Sequence, residues 1–422
     1  MRKNLFLSFI SLIILLIQSS GTLAEEKSRS ISLQDHTFLN KVERDTFQYF
    51  LKERNPKTGL IKDSSRYGAP CSIAGMGFAL SAICIADHRK WLNRNEAYRM
   101  VIKILKIFLR KVETKKGFYY HFVDVETGKR VWESELSSID TAIFLAGALL
   151  AAEYFNTREI RVLSQRLYQR VDWAWMQNKS DFICMGWKPE QGFLPYYWDA
   201  YSEHMLLYAL AIGASDNSVP LSSWYRWKRP KGEYKGVSYV YCGTGSLFVY
   251  QYSHAWINFK KIADKGVNWW DNSVKATKVN RQYCLDLSQK FKTFSSNCWG
   301  VTASLGPNGY KGYGTQVGYY PFSDGTVNPS AVAGSIPFLP KECIDALKYM
   351  YHNYKNKLYW KYGFKDAFNL DKNWFSNESL AIDQGITILM IENFRSGLIW
   401  KYFMKLPCIK KWKNLVEGRI ER

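Results

Sequence analysis

Four segments of the chain are apolar on nearly every side when they are drawn as helices. They are residues 74–86, 140–155, 201–214 and 378–394. A helix that has no polar face has to be covered by other parts of the protein all the way round. We therefore expect the chain to fold around buried central helices, and its 422 residues are enough to cover them.

Amphipathic segments alternate with these apolar ones along the chain. In residues 95–112, Met100, Ile104 and Phe108 form one apolar stripe while lysine and arginine side chains face away, and residues 158–173 show the same spacing. Further outer helices are predicted at residues 36–53, 269–290 and 341–355, and further inner helices at residues 246–262 and 330–339.

The order of one outer helix and one inner helix is repeated about six times. A ring of buried helices inside a ring of half-exposed ones is an (α/α)6 barrel, so we predict an all-α fold with this toroidal architecture. A helical solenoid is the alternative, but solenoid repeats are shorter and regular in length. The irregular spacing of this chain favours the barrel.

Four connections are long and rich in Gly, Pro, Trp and Tyr, and each of them precedes an inner helix. They are residues 114–138, 178–200, 291–329 and 356–377. In an alternating barrel every inner helix runs in the same direction, so these loops meet at one mouth. Loops longer than about 12–15 residues are usually functional or disordered, and these are too aromatic to be disordered. We expect the functional site at this mouth.

The first 24 residues have the pattern of a secretory signal. A basic start is followed by an apolar run over residues 5–17 and by small and polar residues up to Ala24, which predicts cleavage after Ala24. An uncleaved anchor is the alternative, but the apolar run is shorter than the roughly 20 residues that span a membrane. Residues 25–422 are then expected to form one barrel domain, periplasmic or secreted, without an integral membrane segment.

The chain is strongly basic, with 58 Lys and Arg residues against 37 Asp and Glu and a formal charge of +21. A positive charge of this size suits binding to nucleic acid, to an anionic membrane or to an acidic polymer. Because the basic residues are spread along the chain, we expect solvated basic helix faces and no nucleic-acid partner. We expect the protein to be a monomer. The eight cysteines lie far apart without a CxxC pair, so no disulfide scaffold is predicted and one or two disulfides stay open.

Acidic residues collect in the long loops or where inner helices begin. They are Glu133, Glu135, Asp140, Asp199, Glu203, Asp324, Glu378 and Asp383. A single acid at a helix start is often only a cap, but Asp140, Glu203 and Asp383 all open apolar helices at the same end. Cleavage of a glycosidic bond requires two carboxyl groups across a groove, one protonated and one ionised. The acids therefore favour a glycoside hydrolase.

Aromatic residues make up 16% of the chain, and six tryptophans lie in or beside the same loops. They are Trp132, Trp187, Trp198, Trp256, Trp299 and Trp374. Their flat apolar faces suit sugar rings, so a sugar-binding groove explains the set better than packing alone. For His254, in YSHAW, the sequence gives equal weight to two roles, that of a substrate ligand and that of a buried structural residue.

Other chemistries lack their motifs. The six histidines include no HExxH and no close pair, so we predict no metal site. The chain has no GxSxG and no phosphate-binding loop, and the glycines of residues 309–314 are in the wrong order for a dinucleotide fingerprint. No organic cofactor is predicted.

Eight motifs run in order over about residues 35–405. They are GFYYHFVDVETGKR, SELSSIDTAIFLAGALLAAEYF, GWKPEQGFLPYYWDAYSEHMLLYALAIGA, QYSHAWINF, NCWGVTASLGPNGY, DGTVNPSAVAGSIPFLP, YGFKDAFN and LAIDQGITILMIENFRSGLIW. On these motifs the chain resembles the bacterial glucoamylase-like domain family, which includes the β-1,2-glucanases of glycoside hydrolase family 144, and the related domain of cyclic β-1,2-glucan synthases.

The resemblance implies an (α/α)6 barrel with acids in the central cleft. It also implies hydrolysis of a β-linked glucan, for which β-1,2-glucan is the preferred candidate. Glu135 and Glu203 fall where the family places essential acids, and Asp140 and Asp383 are further cleft acids. We expect Glu203 to be the general acid and Glu135 or Asp140 to position or activate water. Ser202 stands where family members commonly have Asp. The substrate is expected to contact Trp198, Asp199, His254, Trp256, Trp299, Asp324 and Asp383.

Two alternative functions stay open at this point. A transglycosylase, or a hydrolase of another glycan, would keep the fold and change the chemistry, because a fold does not determine the linkage that is cleaved. A non-catalytic glycan-binding protein of the cell envelope would have the same cleft without turnover.

Overall fold

The structure, a computed structural model, describes residues 31–315 and 322–418. The predicted signal segment, residues 1–24, lies outside these residues. Contacts between residues divide the chain after Lys41 into two compact units. All the residues of the site described below belong to the second unit, Val42–Arg422.

Helices make up most of the regular structure of the described residues. The α-helices are α1 (Leu33–Lys52), α2 (Ile73–His88), α3 (Arg94–Arg110), α4 (Ser138–Phe155), α5 (Arg158–Gln169), α6 (Trp173–Met176), α7 (Met205–Gly213), α8 (Leu221–Arg226), α9 (Tyr252–Trp256), α10 (Trp269–Asp286), α11 (Pro329–Ala333), α12 (Pro340–Leu358), α13 (Ala381–Arg395), α14 (Leu398–Phe403) and α15 (Pro407–Glu417). Two 3-10 turns, Leu247–Tyr250 and Phe259–Lys261, flank α9.

The four strongly apolar segments form buried helices, as predicted. In α2 all residues from Ile73 to Ala86 are buried, and α4, α7 and α13 are buried over most of their length. Helix α2 packs against both α4 and α13, and α4 also packs against α7. Helix α4 is long and apolar enough to cross a membrane, but 83% of it is buried inside the protein. Its composition is therefore that of a core helix.

The amphipathic segments cover these buried helices with their apolar faces. In α3 the predicted stripe of Met100, Ile104 and Phe108 is buried, and α5 packs against both α3 and α4. The C-terminal helix α15, which the sequence analysis did not predict, covers α7. There Gly213 approaches Cys408 so closely that a Cβ on the glycine would lie 2.2 Å from the cysteine carbonyl oxygen. The described part is thus a helix-rich fold with buried helices and amphipathic helices around them.

Two of the buried helices begin later than predicted. Helix α7 begins only at Met205 and α13 only at Ala381. Glu203 and Glu378 therefore lie in the connections just before their helices. The two weaker inner segments are short helices, since α9 has five residues between 3-10 turns and α11 ends at Ala333. Helices α6, α8 and α14 were also not predicted.

Short antiparallel strands lie in the connections, which the all-α prediction did not include. They are β1 (Cys71–Ser72), β2 (Thr114–Lys115), β3 (Phe118–Tyr120), β4 (Phe122–Val123), β5 (Leu136–Ser137), β6 (Gly186–Lys188), β7 (Gly192–Phe193), β8 (Lys231–Tyr234), β9 (Val237–Val240), β10 (Ala263–Asp264), β11 (Val267–Asn268), β12 (Ser304–Gly306), β13 (Gly309–Lys311), β14 (Tyr359–Trp360), β15 (Gly363–Phe364), β16 (Phe368–Asn369) and β17 (Trp374–Phe375). Strands β2, β3, β5, β6 and β7 form one sheet in that spatial order, and the others pair in twos.

Two junctions between a strand and a helix position the site. Strand β1 ends at Ser72, whose side chain accepts the N–H of Gly75 and caps α2. Strand β5 ends at Ser137, whose side chain accepts the N–H of Asp140 and caps α4. Because β1 pairs with β4 and β5 pairs with β3, His121, which stands between β3 and β4, lies where both helices begin.

Candidate active site

A cavity of about 540 Å³ lies near the N-terminal ends of α2, α4 and α7. Four carboxyl groups from different segments line it, together with one imidazole and several aromatic rings. The carboxyl groups are those of Asp63, Asp140, Glu203 and Glu378, the imidazole is that of His121, and the rings include Phe122, Trp132, Phe248, Tyr252 and Tyr310. Carboxyl groups and flat apolar faces therefore meet in one space, which suits a sugar substrate.

The ring of His121 connects two of the predicted acids. Its Nδ1 lies 3.0 Å from Oε1 of Glu135 and its Nε2 lies 3.6 Å from Oδ1 of Asp140. Burial alone would lower the pKa of His121, but Asp140 and Glu135 outweigh burial and raise the pKa to about 9. The imidazole is therefore protonated at neutral pH. Burial acts to raise the pKa of Glu135, but the bond from His121 lowers it overall.

Glu203 has a different electrostatic environment. Burial raises the pKa of its carboxyl group, a hydrogen bond from the Ser202 hydroxyl opposes this, and Asp140 adds to the increase, so that the pKa is raised overall. A carboxyl group with a raised pKa keeps its proton at higher pH, which a general acid requires. The cavity therefore holds a carboxyl group suited to donate a proton.

Buried contacts position the main chain around Glu203. Its carbonyl oxygen accepts the hydroxyl of Ser253 at 2.7 Å, and that hydroxyl oxygen accepts the N–H of Leu206 at 2.9 Å. The next residue, His204, is fully buried among three aromatic rings. Burial lowers the pKa of His204 to about 3, so its ring is neutral and anchors this segment.

Two further carboxyl groups, those of Asp366 and Asp383, are buried side by side next to the cavity. Asp383 accepts the hydroxyl of Ser330 at 2.9 Å, and Asp366 accepts the N–H of Leu305 at 2.7 Å. Burial, and then the charge of Asp383, raises the pKa of Asp366 well above its usual range, and burial also raises the pKa of Asp383. Both carboxyl groups therefore favour the protonated form more than a solvent-exposed aspartate does. The carboxyl group of Asp383 faces Asp366, and its predicted contact with substrate stays a prediction.

The predicted tryptophan and histidine contacts do not reach the cavity. Trp198, His254, Trp256 and Trp299 are all buried in the core. The indole of Trp198 donates to Oγ of Ser138 at 2.9 Å, and that of Trp256 donates to Oγ of Ser81 at 3.0 Å. Burial lowers the pKa of His254 to about 3, so this histidine is a structural residue. The structure thus places these four side chains in the interior, and their predicted contacts with substrate stay predictions.

The two predicted aspartate contacts also lie elsewhere. Oδ2 of Asp199 is 3.6 Å from Nζ of Lys228 at the surface. Oδ1 of Asp324 accepts the hydroxyl of Thr326 at 2.6 Å and the N–H of the same residue at 3.0 Å. The carboxyl group of Asp324 therefore stabilises its own turn, and neither aspartate lines the cavity.

The structure brings the three predicted catalytic acids together. Asp140 and Glu203 line the cavity, and Glu135 is linked to it through His121. The sequence analysis did not select Asp63 or His121, although His121 stands in the motif GFYYHF. It also did not select Tyr310, whose ring is 54% exposed. Trp132, which is 61% exposed, was named as one of six loop tryptophans but not as a predicted substrate contact.

The described residues contain neither a metal-ligand cluster nor a cysteine pair. Within residues 31–315 and 322–418, no group of three or more His, Cys, Asp or Glu side chains could hold a metal ion. All eight cysteines lie in this range, where they are buried and unpaired, and burial raises the pKa of thiols such as that of Cys242. The cavity offers carboxyl groups, one imidazole and the hydroxyl groups of Tyr252 and Tyr310 for proton transfer or hydrogen bonding.

Comparisons with known proteins agree on one family. Residues 195–407, half of the chain, match the model of the Glycoamylase family, described as "Putative glucoamylase". An exo-β-1,2-glucooligosaccharide sophorohydrolase (non-reducing end) of Parabacteroides distasonis is 28% identical over 419 residues, which cover 90% of this chain and 57% of that protein. The chain therefore spans little more than half the length of this relative.

Two solved structures are similar over nearly the whole chain. An endo-β-1,2-glucanase from Chitinophaga pinensis, solved with sophorotriose and glucose, has a TM-score of 0.85 and 25% identity, covering 92% of this chain and 98% of that one. A β-1,2-glucanase from Parabacteroides distasonis has a TM-score of 0.86 and 26% identity, covering 92% of this chain and 61% of that one. From the matched family model and these likenesses, the chain belongs to the Glycoamylase family.

Proposed function

We propose that this protein hydrolyses β-1,2-glucan, with Glu203 as the general acid. The observation that carries the proposal is the cavity in which Glu203, whose pKa is raised, lies near Asp140, whose carboxyl group is paired with a protonated imidazole. One protonated and one ionised carboxyl group are the pair that glycoside cleavage needs. The similar proteins named above act on β-1,2-linked glucans or their fragments, which supports the linkage.

The reaction follows from this division of charge. Glu203 donates its proton to the glycosidic oxygen as the bond to the anomeric carbon breaks, so the leaving sugar departs as a neutral hydroxyl compound. Asp140 accepts a proton from the water that attacks the anomeric carbon. Glu135 does not line the cavity. We propose that it holds the ring of His121 in place, and that His121 in turn holds Asp140.

Two exposed rings suit the substrate's sugar faces. Trp132 and Tyr310 line the cavity and keep more than half of their surface open. Trp132 and the following Glu133 both have a left-handed backbone, with φ of 56° and 47°, which side chains other than glycine adopt at a cost. A strained turn that presents an indole to solvent at a cavity supports a platform for a pyranose ring.

The finer architecture belongs to the same proposal. We assign the described helices to an (α/α)6 barrel, which is supported by the alternation of buried and amphipathic helices and by the contacts of α2 with α4 and α13. The predicted signal over residues 1–24 supports export to the periplasm or the medium. A single barrel domain and a monomeric state remain predictions of the same kind.

Release of reducing sugar by the purified protein tests the proposed function. The panel consists of β-1,2-, β-1,3-, β-1,4- and α-1,4-glucans, and we expect release from the β-1,2-glucan alone. Glu203→Gln should lower kcat by about 10²–10⁴-fold because it removes the transferable proton. Glu126→Gln is the matched control, since Glu126 is an exposed acid of the long connection over residues 114–138 and does not line the cavity.

The same panel tests the two alternatives. Release from another glucan alone would contradict the β-1,2 linkage, and formation of longer oligosaccharides without reducing-sugar release would identify a transglycosylase. If no glucan is cleaved while β-1,2-glucan still retards the protein in an affinity gel, the protein is a glycan-binding protein and the hydrolase proposal is wrong.

A further inference from the structure

His121 is held through its main chain as well as through its ring. Its N–H donates to the carbonyl oxygen of Glu135 at 2.8 Å, and its own carbonyl oxygen accepts the N–H of Ile73, the first residue of α2, at 3.1 Å. The imidazole also lies nearly parallel to the ring of Phe122, with centroids 4.0 Å apart and 14° between the planes. Three independent contacts therefore fix the position of this imidazole.

The ring of His121 faces carboxyl groups from three different segments. Glu135 precedes β5 and Asp140 belongs to α4, while Asp63 lies in the connection before β1 and acts on the imidazole by its charge. Further charged or titratable groups lie near this cluster: Lys188 of β6 acts on Glu135, Asp383 acts on Asp63, and Arg66, Glu203 and Glu378 line the same cavity. Without the imidazole, the carboxyl groups of these three segments would face one another directly, and like charges at short distance resist joint ionisation.

We infer that His121 is a positioning residue of the active site, whose ring holds Glu135 and Asp140 in place at the cavity that Glu203 also lines. The inference rests on the proposed function, because it assigns His121 a part in the same reaction. His121 acts through these acids and needs no bond to the sugar.

The pH profile of kcat/KM provides a readout that a merely structural residue would not move. In His121→Gln the charge is lost, so the pKa values of the carboxyl groups around it rise. The pH below which activity falls should then move upward by about one pH unit, with activity partly recovered at higher pH. His121→Lys keeps a positive charge and should leave this lower limit near that of the wild type.

Two results of this experiment would overturn the inference. One is a His121→Gln enzyme that loses activity equally at every pH, with the lower limit unchanged. The other is an equal upward shift in His121→Gln and His121→Lys, because the shift would then not follow the charge. His352→Gln is the matched control, since His352 is exposed on α12, and it should leave the profile unchanged.

A titration by NMR judges the inference without using activity. In the ligand-free protein, the imidazole signal that is missing from the His121→Gln spectrum belongs to His121. Its midpoint should lie near 9 and should fall in Glu135→Gln, which removes one partner charge. A midpoint near 6.5, the ordinary value for histidine, would overturn the inference. If the wild type cleaves no glucan, the proposed function fails while this titration still decides the charge of His121.

Discussion

Gly77 and Gly147 bring the backbones of two buried helices into direct contact. A Cβ on Gly147 of α4 would lie 2.2 Å from the carbonyl oxygen of Gly77 in α2, and a Cβ on Gly77 would lie 2.1 Å from the carbonyl oxygen of Ile143. The same two helices are capped by Ser72 and Ser137 beside the cavity. The spacing of the two helices next to the active site is thus set by the absence of a side chain at two positions.

Gly147→Ala should therefore destabilise the protein, although alanine is normally the better helix former by about 1 kcal/mol. The new Cβ meets backbone atoms, which cannot turn away as a flexible side chain could. We expect a loss of about 1–3 kcal/mol in the free energy of unfolding, the usual cost of overpacking a core. Urea denaturation followed by circular dichroism measures it.

Gly243→Ala is the control for this change. Gly243 lies in an exposed loop where a Cβ would have no atom within 4 Å, so its substitution should leave the free energy of unfolding within about 0.5 kcal/mol of the wild type. If Gly147→Ala proves as stable as the wild type or more stable, the two helices do not touch in the way described.

The buried helices could be predicted because a long apolar stretch admits only one environment. Segments such as residues 74–86 have no polar face, and burial on all sides is the consequence. The strands could not be predicted in the same way, since most have two or three residues and show no period. Helix α7 begins only at Met205, and the N–H of the next residue, Leu206, donates to the hydroxyl oxygen of Ser253. Ser253 belongs to another segment of the chain. Such a long-range contact leaves no local signal.

The acids of the site could be predicted better than its aromatic contacts. Asp140 stood out because a carboxyl group at the start of an apolar helix is conspicuous in the sequence. A tryptophan gives no such signal, because burial of its ring and exposure to sugar both suit an aromatic residue. The indole N–H of the buried Trp256 donates to the hydroxyl oxygen of Ser81, whereas Trp132 has a left-handed backbone and an exposed ring. The position and the charge of His121 depend on strand pairings and on acids that are distant in the chain, such as Asp63, which lies 58 positions before it.

Asp264 is the acceptor of a buried polar cluster outside the active site. Its carboxylate receives the indole N–H groups of Trp224 at 2.7 Å and Trp269 at 3.0 Å, and Nε of Arg229 at 3.1 Å. The guanidinium of Arg229 also lies over the ring of Trp227, 3.5 Å from its centroid. Strand β10, which carries Asp264, is thereby joined to the segment around α8 and to the start of α10.

Asp264→Ala should lower the free energy of unfolding by about 3–5 kcal/mol, because it leaves the mostly buried charge of Arg229 without its partner. Chemical denaturation measures the loss. Asp181→Ala is the matched control, since Asp181 pairs with Arg226 at the surface, where both side chains are more than half exposed. That change should cost less than about 1 kcal/mol. Equal losses in the two variants would contradict the role of Asp264.

Ser202 influences the pH range in which Glu203 can act. Its hydroxyl donates a hydrogen bond to the Glu203 carboxylate, which stabilises the ionised form and lowers the pKa of that group against the effect of burial. In Ser202→Ala this bond is lost, so the pKa of Glu203 rises further. A general acid works only while it is protonated, and the upper pH limit of kcat/KM should therefore move to higher pH.

The expected size of this shift follows from the strength of the bond. A hydrogen bond to a charged group contributes about 1.5–3 kcal/mol, and one pKa unit corresponds to about 1.4 kcal/mol. Because Glu203 is only partly buried, we expect a shift of about one pH unit, measured from the pH profile of β-1,2-glucan hydrolysis. Ser215→Ala removes a similar bond, from Ser215 to Asp216 at 2.9 Å beyond the far end of α7, and should leave the limit unchanged. A downward shift in Ser202→Ala would mean that the upper limit is not set by the protonation of Glu203.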